Sequence, residues 1–91
     1  MHPARQIHVG DIVHYRLSDE DASSINGLPE PSTRNLHMAG MVRPLIVVRI
    51  WSEDCVNGHV FLDGAGTYWV TSRNRGEADA NWNWPGHSEE E

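Results

Sequence analysis

Lysine is absent from this chain of 91 residues; all seven basic residues are arginine. Lysine and arginine solubilise a surface about equally well, so folding does not demand the absence. It reads as the codon bias of a GC-rich genome. The functional alternative is a preference for the planar guanidinium, which grips phosphate or carboxylate at two points. Cysteine is nearly absent as well. Cys55 stands alone, which excludes an internal disulfide framework and fits a reducing cytoplasm. No apolar run approaches the roughly 18 residues of a membrane span. No short apolar stretch behind a basic start marks an export signal. Neither a membrane span nor a leader is expected.

Basic charge is scarce. Thirteen acids against seven arginines leave a net charge of −6, and general nucleic-acid binding, which needs a basic face, is not expected. The acid is concentrated at Asp19-Glu20-Asp21 and at the tail Glu89-Glu90-Glu91. The stretch between them is nearly neutral, so a local basic patch stays open. The length suits one domain, expected over 1–86, with residues 87–91 as a disordered acidic tail. A core this small leaves no room for a deep cavity and a catalytic shell, so a ligand site is expected at a groove, a barrel mouth or a subunit interface. Association into a homo-oligomer would stabilise it.

What is present points to β-structure. Gly10-Asp11 turns into Ile12-Val-His-Tyr-Arg-Leu17, a strand with Val13, Tyr15 and Leu17 on one face and Ile12, His14 and Arg16 on the other. Ser18 followed by Asp21 forms a capping box for a short helix, Leu17 and Ala22 can staple its start, and Asn26-Gly27 stops it. Residues 28–40, with Pro29, Pro31, Ser32, Thr33 and Asn35, read as a long loop of the functional or mobile kind. Met41 to Trp51 is the central strand. Ile46, Val48 and Ile50 take one face; Leu45, Val47, Arg49 and Trp51 take the other. Asn57-Gly58 signals a turn, His59 to Leu62 a strand, Asp63 to Gly66 a tight turn, and Thr67 to Thr71 the returning strand. Arg73 to Ala80 is a polar loop before a short last strand at Trp82-Asn-Trp84, which Pro85-Gly86 ends. The expected fold is mainly β, a small SH3-like antiparallel barrel of about five strands with one short helix.

Trp82-Asn-Trp84-Pro85, with Val60-Phe-Leu-Asp-Gly64, Tyr68-Trp-Val-Thr-Ser72, Gly10-Asp-Ile-Val-His-Tyr15 and Val47-Val-Arg-Ile-Trp51, resembles the short proteins common in actinobacterial prophages and actinophages, which often end in a Gly-Thr-Trp-His-Trp-Pro-like motif. The resemblance spans most of the chain outside residues 18–40. It departs where Ala80-Asn81 replaces the usual Gly-Thr and Asn83 the usual His, so no role of that histidine carries over. It implies an SH3-like barrel and a phage accessory gene, and no activity or catalytic residue.

The chemistry-bearing residues are weighed against structural roles. Six histidines invite a metal, yet none stands at the compact spacing of a zinc site, and Cys55 has no second cysteine. Helix capping accounts for Asp19 to Asp21. Glu53-Asp54 gives Cys55 an anionic setting unsuited to a nucleophilic thiolate, and Gly64-Ala-Gly66 is too short for a phosphate loop. No metal, no cofactor and no catalysis are expected. The tryptophans remain. They either close the barrel and cover its core, or line an aromatic cleft in which Trp51 and Trp69, with Arg49, Arg73 and Arg75, stack a planar ring and clamp a phosphate. Trp82 and Trp84, sharing a face by period two, join this candidate set. The leading expectation is a non-catalytic phage or prophage accessory protein that sequesters a nucleotide-like ligand, an anti-defence role. The alternative is a protein-binding adaptor or inhibitor acting on a host or virion protein through the Trp/Arg face and residues 28–40.

Overall fold

A computed structural model describes residues 5–86. The expected disordered tail at 87–91 lies outside the described residues. Five antiparallel strands form one sheet: β1 (Ile12–Arg16), β2 (Val42–Ser52), β3 (Cys55–Phe61), β4 (Thr67–Asn74) and β5 (Trp82–Asn83). Their order is β4-β3-β2-β1-β5, the order of an SH3-like barrel. The sheet curls into a half-barrel whose two ends meet where Arg75, just past β4, bridges Trp82. The meeting point is fastened by Gly76 N–H to the Trp82 carbonyl at 3.0 Å and by Trp82 Nε1–H to the Asp54 carbonyl at 3.0 Å.

The core follows from alternation. β1 turns Val13 and Tyr15 inward, with Leu17 just beyond its end. Leu45, Val47, Val56, Val60, Val70 and Trp82 meet them from the other strands, and all are buried. Gly58 sits inside this core because a Cβ there would run into the Ile46 carbonyl and the Leu45 side chain. The helix α1 (Asp19–Asn26) starts at Ser18 with both hydrogen bonds of the capping box and turns Asp21, Ala22 and Ile25 inward.

Three expectations are corrected. Asn57-Gly58 is not a turn: the β2–β3 hairpin closes around Ser52 to Cys55, and Asn57-Gly58 lies within β3 at an irregularity opposite β4. The alternation of β2 breaks between Val47 and Arg49, so Val48 faces outward and Ile50 packs against the core instead of sharing one face with it. The 28–40 segment is not loose. It carries a 3-10 turn at Pro31–Thr33 and an antiparallel bridge between Arg34 and Gly64. The Asn26 side chain binds both the N–H and the C=O of His37, each at 2.9 Å. His37, which the sequence leaves without a partner, is buried, and its Nε2 accepts the Asp63 N–H at 3.1 Å.

Candidate functional site

Alternation that fills the core also decides what points outward. On the outer face Ile12 stands opposite Ile46, Ile46 opposite His59, and His59 opposite Trp69, so one row of side chains crosses four strands. His59 and Trp69 are in ring contact, with centroids 4.8 Å apart and planes tilted by 57°. Trp51, Val48 and Phe61 are also exposed on β2 and β3. Ile12, Val48, Trp51, Phe61 and Trp69 are each between 41% and 54% exposed. Single exposed apolar residues are ordinary, whereas a set of them on one sheet face marks a contact surface.

Trp51 is held in place. Its indole N–H donates to Asn57 Oδ1 at 2.9 Å, and the same oxygen accepts the Ser72 N–H at 2.7 Å. The Arg49 guanidinium lies 4.0 Å from the Trp51 ring centroid. An indole fixed by a buried amide and stacked by a cation loses little freedom on contact with a partner, which favours binding.

The seven residues expected to form one cleft divide between two regions. Trp51, Arg49 and Trp69 share the outer face. Trp82 does not belong to any ligand surface: it is fully buried in the core. Trp84 packs half-buried against it, edge to face, with centroids 5.7 Å apart. Arg75 pairs with Asp54 and lies 5.9 Å from the Trp82 ring centroid. Arg73 is turned away from Trp69. Ser72 adopts a left-handed backbone (φ 54) beside the β3–β4 irregularity. The extra residue reverses the alternation, and Arg73 reaches Tyr15 and Asp21.

That inner contact is a polar hub which the sequence reading did not anticipate. The Tyr15 hydroxyl donates to Asp21 Oδ2 at 2.6 Å and accepts Arg73 Nε–H at 2.9 Å. Arg73 Nη2 lies 3.5 Å from Asp21 Oδ1, and Asp21 Oδ2 also accepts the Ser18 N–H at 3.0 Å. Burial raises the Tyr15 phenol well above its ordinary range, and the Asp21 carboxylate adds to the rise. Every group in the hub is partnered, so its role is to lock α1 to β1 and β4. Also missed were Ile12, Ile46, His59 and Phe61 as parts of the outer face. Their period-two parity marked them as a set, but only strand register shows them adjacent.

A shallow cleft of about 200 Å3 is lined by Asn26, Pro31, Arg34, Asn35 and Leu36. Arg34 is spent there on the carbonyls of Leu28 and Pro29, at 2.8 and 2.9 Å. Among the described residues no three His, Cys, Asp or Glu side chains are placed to hold a metal. Among them, too, no helix is long and apolar enough to cross a membrane. The fold and this face define a small SH3-like half-barrel with an exposed apolar sheet surface. No protein-family model matches the chain, and neither curated proteins nor solved structures gave a match.

Proposed function

We propose that this protein is a non-catalytic binding module of phage or prophage type, an adaptor or inhibitor that docks a host or virion protein on the outer face of its sheet. The observation carrying this is the in-register row Ile12–Ile46–His59–Trp69, flanked by exposed Val48, Trp51 and Phe61. Tryptophan and arginine dominate the energetics of protein interfaces, and Trp51 with Arg49 supplies such an anchor. The phage setting rests on the resemblance of the Trp82-Asn-Trp84-Pro85 region. The test compares wild type with a Val48→Glu/Trp51→Ala double variant as affinity baits in bacterial lysate. A protein retained by wild type and lost with the folded variant supports the reading. Identical retention by both removes this face from consideration.

Sequestration of a nucleotide-like ligand keeps one supporting observation, the exposed Arg49–Trp51 stack. Arg73 and Arg75, the expected phosphate clamp, are engaged with Asp21 and Asp54. Under this second reading a nucleotide panel quenches tryptophan fluorescence in wild type and loses that effect in Trp51→Ala. An unchanged spectrum across the panel rejects it.

A further inference from the structure

β4 lies at one end of the sheet, pairing with β3 on one side only. Among the described residues, the other bridges near it are Arg34–Gly64 before it and Arg75–Trp82 after it. Natural edge strands are usually blunted by lysine, proline, inward charge or a bulge. Here the bulge at Ser72 and the inward-turned Arg73 serve, and both protect only the C-terminal third of the strand. Residues 67–71 form a regular stretch bounded by two left-handed residues, Gly66 (φ 94) and Ser72 (φ 54). Thr67, Trp69 and Thr71 are exposed along it.

This stretch suits a copy of itself. From Gly64 to Ser72 there is no charged residue, so self-pairing sets no like charges opposite one another. The nearest charges are Asp63 on one side and, on the other, Arg73, turned inward to Asp21, and Arg75, which is paired with Asp54 but keeps about a third of its side chain exposed. An antiparallel pair brings these opposite ends together, whereas a parallel pair sets like against like. Complete overlap of a stretch running from 67 to 71 has one centre, Trp69.

We propose that β4 is the pairing edge for a second copy of this chain, the two strands antiparallel with Trp69 opposite the same residue of the other copy. The two sheets join into one, and the apolar outer rows of both copies run together across the junction. The inference is independent of the docking reading, although Trp69 serves both.

Light scattering after gel filtration is expected to give twice the 10.3 kDa chain mass. Thr71→Lys, which sets lysine close to the junction from both copies, is expected to run at the single-chain mass with an unchanged circular dichroism spectrum. Register is read by disulfide trapping in a Cys55→Ser background. Thr67→Cys chains mixed with Thr71→Cys chains should cross-link, and neither should cross-link alone. A single-chain mass for wild type at every concentration overturns the proposal, as does a dimer that survives Thr71→Lys or cross-links equally in one variant alone. The Val48→Glu/Trp51→Ala variant is expected to stay dimeric, so loss of partner capture and loss of pairing are separate results.

Discussion

Tyr15 and Asp21 are joined by a 2.6 Å hydrogen bond between two side chains that are both shut off from solvent. Asp21 is the third residue of α1 and closes its capping box. The same carboxylate therefore serves the helix start, the β1 phenol and, through Arg73, the far strand β4. A surface cap is worth about 1 kcal/mol. This one is coupled to a half-buried ion pair with Arg73, and its loss strands the Tyr15 hydroxyl and the Ser18 N–H.

Asp21→Ala is accordingly expected to cost more than a cap. Removing one partner of a buried pair costs about 3–5 kcal/mol, and the low end applies because Arg73 is part-exposed and regains water. Ser18→Ala should cost only about 1 kcal/mol. Urea unfolding of the two variants measures the difference, and equal losses would reduce Asp21 to a helix cap.

The raised Tyr15 phenol predicts loss of stability at high pH. In the unfolded chain a tyrosine ionises near pH 10, while burial first and Asp21 second keep the folded phenol protonated well beyond that. The stabilisation is complete below the unfolded value and is lost as pH rises from there toward the folded one. The slope reaches about 1.4 kcal/mol per pH unit. Urea midpoints from about pH 9 to about pH 11.5 should fall in wild type and show a shallower fall in Tyr15→Phe. Parallel profiles would remove Tyr15 as the cause.

His37 is expected to be the Nδ1–H tautomer. A backbone N–H can only donate, so Nε2, which faces the Asp63 N–H, carries no proton, and Nδ1 donates to the Asn35 carbonyl at 2.8 Å. Nitrogen chemical shifts of the labelled ring distinguish the two tautomers directly. His37→Phe should cost about 1 kcal/mol through loss of the two part-buried hydrogen bonds to Asn35 and Asp63. The loss would show that the 28–40 segment is fastened to the β3–β4 turn by this ring.

Ala80 holds a left-handed backbone (φ 67) while packing against the core. Ala80→Gly relieves roughly 1–2 kcal/mol of steric cost and pays back part of it in chain entropy, for a net gain of up to about 1 kcal/mol. A higher thermal midpoint checks it.

The tryptophans should separate by substitution. Trp82→Ala removes a fully buried indole and is expected to cost about 3–5 kcal/mol. Trp51→Ala takes away an exposed ring, and Asn57 keeps its hydrogen bond to Ser72, so stability should change by under about 1 kcal/mol. Comparable losses in the two variants would mean that Trp51 belongs to the fold and not to a binding face.

Several features were legible in the chain because they depend on near neighbours. Val13, Tyr15 and Leu17 alternate with polar residues and enter the core as alternation predicts. Ser18, Asp21 and Gly27 bracket α1 because caps are chemistry within four residues. The five-strand antiparallel layout with one helix followed from such signals. Misreadings came where the chain slips by one residue. Asn57-Gly58 has the composition of a turn, yet Asn57 is buried and ties Trp51 to Ser72.

The sequence by itself determined the strands, the cap and the apolar residues available for a core, because period and local hydrogen bonding act along the chain. Only the tertiary structure decided which face each residue past a bulge would take. An extra residue at Val48 or Ser72 reverses alternation, and whether it is accommodated depends on the hydrogen bonding of the neighbouring strand. That reversal sent Ile50 and Arg73 inward and put Arg49 and Trp51 on the outer face.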